Sequence, residues 1–311
     1  MKNLEHRITS SGDPDVSLYI RERKPSEVRR GTVPLLLVHG ATIPSVLWDN
    51  PLAGWSWMDR LADNGFHVFA VDLRGYGGSS RPDCFALPAD ETTPYARAVD
   101  VLPDVTDTIA HIQNLTGSPN IDLLGGSWGS IICGQLVAEN PSISIRKLVL
   151  YAPLYSETNT RPVWLSGTGE TPLGAYRNVS FNELKQRWDA EIPVENKSLW
   201  RNNGVLEALV ESYVKDEATT FRVPNGTILD LREVYAGRPL YEASDISIPT
   251  LLLRGSADPT STHGDASRLF DRIDAAVKRY TIVGNGAHFM IAENKIAEVH
   301  AVVTGFLAEE F

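Results

Sequence analysis

The sequence predicts an α/β fold with a mostly parallel central sheet, helices on both faces and one helical insertion. Three observations carry that expectation. Short Val/Leu/Ile-rich runs recur without polar alternation, longer helix-like segments separate them, and the rhythm breaks off between residues 155 and 244. Unbroken apolar runs of strand length suit central strands covered on both faces. Alternation of strand and helix is the pattern of a parallel sheet.

In chain order, Val16–Arg23 (VSLYIRER) alternates and predicts an antiparallel strand near an edge. Val33–Val38, Phe66–Val71, Ile121–Gly125, Lys147–Tyr151, Thr250–Arg254 and Lys278–Val283 predict buried strands. Between them, Trp55–Asn64, Tyr95–Thr116, Ser130–Asn140, Thr262–Ala276 and Phe289–Glu310 have helical character. From Tyr155 to Ser244 there is no clear central strand. That stretch carries Trp164, Trp188 and Trp200, with helix-like pieces at Phe181–Ala190 and Gly204–Lys215. A loop of that length is improbable in a compact domain. The expected organisation is a core of residues 1–154 and 245–311, with a helical cap, or lid, at 155–244 inserted in it.

The 311 residues suffice for one large core with such a lobe. With 42% hydrophobic and 22% charged residues, the composition is that of a soluble globular protein. No apolar run reaches the ~20 residues that span a bilayer. The polar start (MKNLEHRITSSGDPD) lacks the apolar core of a signal peptide, which predicts no membrane association and a cytoplasmic location. Cys84 and Cys133 are too few for a disulfide framework and form no metal motif, so no metal or cofactor is expected. A net charge of −10 without a Lys/Arg cluster disfavours nucleic acid. The expected partner is a small molecule, and the sequence carries no signal for oligomeric state.

The strand at Ile121–Gly125 runs into Gly125-Gly126-Ser127-Trp128-Gly129 and then into the helix candidate Ser130–Asn140. This is G-x-S-x-G between a strand and a helix. Small residues two positions either side of Ser127 let the backbone bend sharply, expose the serine oxygen and aim the helix N-terminus at it. Two further stretches accompany it: His39-Gly40-Ala41 after Leu35–Val38, and Asp72-Leu73-Arg74-Gly75-Tyr76-Gly77-Gly78-Ser79-Ser80 after Phe66–Val71.

On these motifs the chain resembles the α/β-hydrolase fold family over nearly its whole length. The resemblance implies a serine nucleophile at Ser127 and an oxyanion hole from the backbone N–H groups of Ala41 and Trp128. It implies a bracing role for His39 and a scaffold role for the Asp72 turn, where Asp72 and Arg74 pair or satisfy loop backbone. The family order is nucleophile, acid, histidine. His288, in Gly284-Asn285-Gly286-Ala287-His288-Phe289, matches the histidine loop. Asp258, after Thr250–Arg254, matches the acid. Asp265 and Glu157 are the fallback acids. His263 and His300 read as structural or surface residues.

The loop His39–Trp48 and the Ser127-Trp128-Gly129 turn look like the branch that holds haloalkane dehalogenases and epoxide hydrolases. Those enzymes use an aspartate that forms an alkyl ester. A serine alkyl ether has no carbonyl for water to attack, so Ser127 favours acyl transfer and a carboxylic-ester substrate. The same branch holds carbon–carbon bond hydrolases, which usually carry tryptophan after the histidine; here it is Phe289. Lactonase, amidase or carbon–carbon bond hydrolase chemistry with the same triad, perhydrolysis as a side activity, and a ligand receptor on this scaffold are the competing readings. Trp48, Trp164, Trp188 and Phe289 are the candidate pocket residues, the tryptophans of the lobe serving equally well as its own core. Among Arg161, Arg187 and Arg201, one could hold a substrate carboxylate.

Overall fold

The computed structural model describes residues 3–27, 32–157, 165, 173–213 and 220–311. Its central sheet is built from β1 (Asn3–Ser10), β2 (Asp13–Arg23), β3 (Leu35–Val38), β4 (Val68–Asp72), β5 (Ile121–Gly126), β6 (Ile145–Tyr151), β9 (Thr250–Gly255) and β10 (Lys278–Val283). A separate pair holds β7 (Tyr176–Ser180) and β8 (Thr220–Pro224). The helices are α1 (Trp57–Asp63), α2 (Leu102–Thr116), α3 (Trp128–Glu139), α4 (Phe181–Glu191), α5 (Asn203–Tyr213), α6 (Gly226–Val234), α7 (His263–Arg272) and α8 (Ile296–Ala308). The sheet runs β1-β2-β4-β3-β5-β6-β9-β10. Only β2 runs against its neighbours, and every other pairing is parallel.

The strand side chains divide between two apolar layers because successive residues point to opposite faces. Leu36, Val38, Phe69, Val71 and Leu123 pack with Ile109 and Ile112 of α2 and Ile132 and Leu136 of α3. Leu35, Leu37, Val68, Ala70 and Leu124 pack on the other face with Trp57 and Leu61 of α1 and Val299 and Val303 of α8. Double coverage is why these strands read as unbroken apolar runs. Among the described residues no helix is long and apolar enough to cross a membrane.

Three expectations need correction, and one strand was not foreseen. The polar segment Asn3–Ser10 is a strand, paired through its backbone to β2, with side chains that are mostly exposed or half-buried. Lys278–Val283 is a strand, but at the sheet edge and largely uncovered. The helix expected from Tyr95 starts only at Leu102, because Ala96 takes a left-handed φ of 58° and Tyr95 O accepts from Gly226 N at 2.7 Å. The helix expected from Phe289 splits into a 3-10 turn at Met290–Ala292 and α8.

Between β6 and β9 the chain leaves the sheet and builds β7, β8, α4, α5 and α6. The two short strands were not foreseen, since neither is apolar throughout. α4 starts on a capping box: Ser180 Oγ accepts from Glu183 N, and the Glu183 carboxylate accepts from Ser180 N. This segment is tied to the core by Asp230 of α6, which accepts hydrogen bonds from Trp128 Nε1, Ala98 N and Arg97 Nε.

Opposite, the turn after β4 is locked by ions. Arg74 does not pair with Asp72. It donates to both oxygens of Asp104 at 2.6 and 2.8 Å, and Asp104 also accepts from Ser10 Oγ. Asp72 instead accepts from Ser45 N and Gly78 N. Asp104→Ala would strand a buried guanidinium, and losing one partner of such a pair costs about 3–5 kcal/mol. The expected outcome is a urea midpoint lowered accordingly with an unchanged m-value.

Candidate active site

Ser127 sits where β5 hands the chain to α3, with φ 53° and ψ −119°. That left-handed φ is costly for a residue with a side chain. It survives because β5 and α3 are drawn together almost to backbone contact. A Cβ on Gly125 would meet Gly129 O at 2.2 Å, and one on Gly129 would meet Val38 O and His39 O at 2.5 Å. Backbone bonds clamp the turn: Ser127 N donates to Tyr151 O at 2.8 Å, and Ser127 O accepts from Ser130 N.

The strained turn presents Ser127 Oγ to His288. The hydroxyl donates to His288 Nε2 at 2.9 Å, and His288 Nδ1 donates to Asp258 Oδ2 at 2.8 Å. Asp258 leaves the end of β9. Its other oxygen accepts from Thr260 N and Ser261 N at 2.8 and 2.9 Å, while Arg254 holds the loop through Asp258 O and Ser261 O. Burial pushes the Asp258 carboxyl up, but His288 and the two backbone N–H groups outweigh it and hold the carboxyl below its ordinary range. The histidine loop is braced by Tyr151 Oη, which donates to His288 O, and by Ala287 N, which donates to Glu293.

Across the pocket, the loop after β3 passes so close that a Cβ on Gly40 would lie 3.1 Å from Ser127 Cβ. His39 is fully buried inside this loop. Its Nδ1 donates to Gly40 O and its Nε2 accepts from Leu73 N. Burial keeps its pKa below the ordinary histidine value. Tyr76 Oη donates to Ala41 O at 2.9 Å. The Ala41 and Trp128 N–H groups donate to no protein acceptor among the described residues.

The profile of a family described as serine aminopeptidase, S33 (Hydrolase_4), matches residues 55–295. The chain belongs to this family, within the α/β-hydrolase fold. It is similar to epoxide hydrolase 3 of Xenopus tropicalis, 24% identical over 292 residues, or 89% of this chain and 72% of the relative. It is similar to a haloalkane dehalogenase of Psychrobacter cryohalolentis, 26% identical over 303 residues, 91% and 85% of the two chains. An esterase from Exiguobacterium antarcticum superposes with a TM-score of 0.67 over 97% of this chain and 99% of its own, at 15% identity.

The Ser127 pocket of this α/β-hydrolase is a cavity of about 40 Å³ walled mainly by apolar groups, among them Ile43, Leu154, Leu231 and Phe289. Trp48 lines it, with its ring packed on Trp57 and Tyr151. Trp188 does not. Its indole N–H donates to Glu293 at 2.9 Å, which turns the ring behind Phe289 at 5.3 Å. Trp200 is buried in the apolar layer. Trp164 and Arg161 lie outside the described residues. Arg201 pairs with Asp189, whereas Arg187 enters the pocket wall. Asp265 is not near His288; it accepts from Tyr155 N and Ser156 N. Glu157 accepts from Thr262 Oγ1. Sequence reasoning missed Ile43, Tyr151, Leu154 and Leu231, whose apolar side chains look like any core residue until the fold turns them to the serine.

Behind the imidazole loop, burial drives Glu293 up to about 7, despite hydrogen bonds from Ala287 N and Trp188 Nε1. A carboxyl whose folded pKa exceeds its unfolded value of 4.5 holds its proton more tightly when folded. The stabilisation this provides is complete below the unfolded value and is lost as pH rises through about 7. The unfolding free energy of wild type relative to Glu293→Gln should therefore decline between about pH 4.5 and pH 8. Parallel denaturant titrations across that window measure it; a rising difference would overturn the assignment.

Proposed function

We propose that the chain is a serine hydrolase that cleaves a carboxylic ester of a small to medium, fairly apolar substrate through an acyl-enzyme on Ser127. The observation that carries this reading is the continuous hydrogen-bonded line from Ser127 Oγ through His288 to Asp258. In it, His288 Nε2 takes the serine proton as Oγ attacks the ester carbonyl, and Asp258 stabilises the imidazolium that results. The Ala41 and Trp128 N–H groups receive the oxyanion, an arrangement worth several kcal/mol in the transition state. The imidazolium then protonates the leaving alkoxide. Water, deprotonated by His288, releases the acid and restores Ser127. In this reading residues 155–244 act as a cap whose α4 and α6 close the pocket through Arg187 and Leu231.

The serine decides among the chemistries of the relatives. An alkyl halide or epoxide opened by Ser127 would leave an ether that water cannot cleave at a carbonyl. An ester, a lactone or an activated amide leaves an acyl group that it can. The apolar pocket wall favours an ester with a short acyl group.

Wild type should hydrolyse short p-nitrophenyl esters and be labelled at Ser127 by a fluorophosphonate probe. Ser127→Ala should lose at least about 10³-fold in kcat and all labelling, since the nucleophile and base act as a unit. Retained turnover in Ser127→Ala would refute the role of Ser127. Folded wild type that is not labelled would point to a ligand receptor instead.

The role of Asp258 has a separate readout. Asp258→Asn keeps the shape of the loop but cannot hold the imidazole tautomer that accepts the serine proton, and should lower kcat by roughly 10⁴-fold. A loss under tenfold, read at saturating p-nitrophenyl ester, would move the acid elsewhere.

A further inference from the structure

Beside the Ser127 pocket lies a second cavity of about 200 Å³, whose wall includes Thr42, Arg177, Glu183, Arg187 and Ile228. Thr42 and Arg187 belong to both walls. A substrate that outgrows the space at the serine can extend past these two residues. What waits there is a cation that meets no carboxylate among the described residues. Arg177, on β7, uses Nη1 alone, donating to Pro224 O, Asn225 Oδ1 and Thr227 Oγ1 at 3.2 Å each. All three acceptors are uncharged. Its Nε and Nη2 have no hydrogen-bond partner among the described residues, and no carboxylate there lies within 4.0 Å of it.

Several other arginines that lean inward do not share this condition; Arg254 also meets no carboxylate, but its Nε and Nη2 donate to Ser261 O and Asp258 O. Arg74, Arg97 and Arg201 each meet an aspartate at 2.6–2.9 Å, and Arg146 pairs with Asp122. Glu183, the acid in the cavity wall, turns one oxygen to Ser180 N to cap α4. Arg187 is engaged by Glu191 at 3.1 Å and lies over the Phe289 ring. Burial, and Arg187 nearby, draw the Arg177 guanidinium down to about 10. Nε and Nη2 form the edge of a guanidinium that grips a carboxylate with two parallel hydrogen bonds. That edge is the one left open.

We propose that Arg177, with Arg187 beside it, forms an anion subsite next to the Ser127 pocket, and that the ester cleaved there carries a free carboxylate. The inference rests on the hydrolase reading above and narrows it to monoesters of dicarboxylic acids or esters of hydroxy acids. The substrate is then apolar at the reacting bond and charged at its far end. Recognition of that end by a fixed fork holds the ester carbonyl at Ser127 Oγ.

Two matched substrate pairs test this and separate the two sources of the carboxylate. Mono-p-nitrophenyl glutarate against p-nitrophenyl valerate places the charge on the acyl side. 4-Acetoxybenzoate against phenyl acetate places it on the alcohol side. The wild type should favour the charged member of one pair by on the order of tenfold or more in kcat/KM. Arg177→Gln should collapse that ratio, mainly through KM, and Arg177→Lys should restore part of it. Equal kcat/KM within both pairs would overturn the subsite, as would a Gln variant that loses both members of a pair alike while its melting temperature matches wild type. Fluorophosphonate labelling of Ser127 distinguishes the failures: labelled enzyme without charge preference removes the subsite only, whereas unlabelled enzyme removes the hydrolase reading with it.

Discussion

The constraint on which the site depends is the left-handed backbone at Ser127. A residue with a side chain at φ 53° is strained by roughly 1–3 kcal/mol, and the surroundings must supply that. They do so from both directions along the chain. β5 is buried over its whole length in the middle of the sheet, and α3 is buried on nearly every side. Neither element can rotate to relieve the turn. The contact between Gly125 and Gly129, and that between Gly129 and the end of β3, leave no room for a methyl group. The loop after β3 therefore arrives beside Ser127 as a consequence of sheet packing, and brings Ala41 N with it.

The second requirement is electrostatic. Three buried carboxyl groups surround the histidine loop, and their surroundings treat them differently. Asp258 accepts three hydrogen bonds and is held below its ordinary pKa. Burial leaves Glu293 and Glu191 raised. Of the three, Asp258 is the one whose surroundings favour the charged form. Trp188 belongs to this arrangement: its indole N–H partners Glu293, so an aromatic expected at the substrate supports the histidine loop instead.

Much of the core and of the geometry around Ser127 could be read from sequence because it is encoded locally. Ile121–Gly125 is apolar on both faces, the glycines at 125 and 129 record a steric contact, and each proposed triad member follows a recognisable strand. What escaped had weaker local signals. β1 is polar because an edge strand is held by backbone bonds that no side chain reports. The late start of α2 follows from Gly226 pressing on Ala96 and Arg97, a contact between residues far apart in the chain. Asp72 and Arg74 were expected to pair or to satisfy loop backbone; Asp72 does the latter, while Asp104, brought in by α2, takes Arg74.

The segment between β6 and β9 shows why recognition is harder to read than reaction. Its helices have an ordinary amphipathic pattern, and its arginines look alike in sequence. Arg187 and Arg201 each have an acid nearby along the chain, Glu191 four residues away and Asp189 twelve residues away. Arg177 has three neutral oxygens, and two of the residues that supply them follow β8. The difference between these arginines thus arises only when β7 and β8 pair and lay the Arg177 guanidinium against the cavity beside Thr42, where the proposed anion would bind. Chemistry that depends on a tight turn leaves its mark in consecutive residues. Specificity that depends on an uncompensated charge is defined by what the fold fails to place beside it.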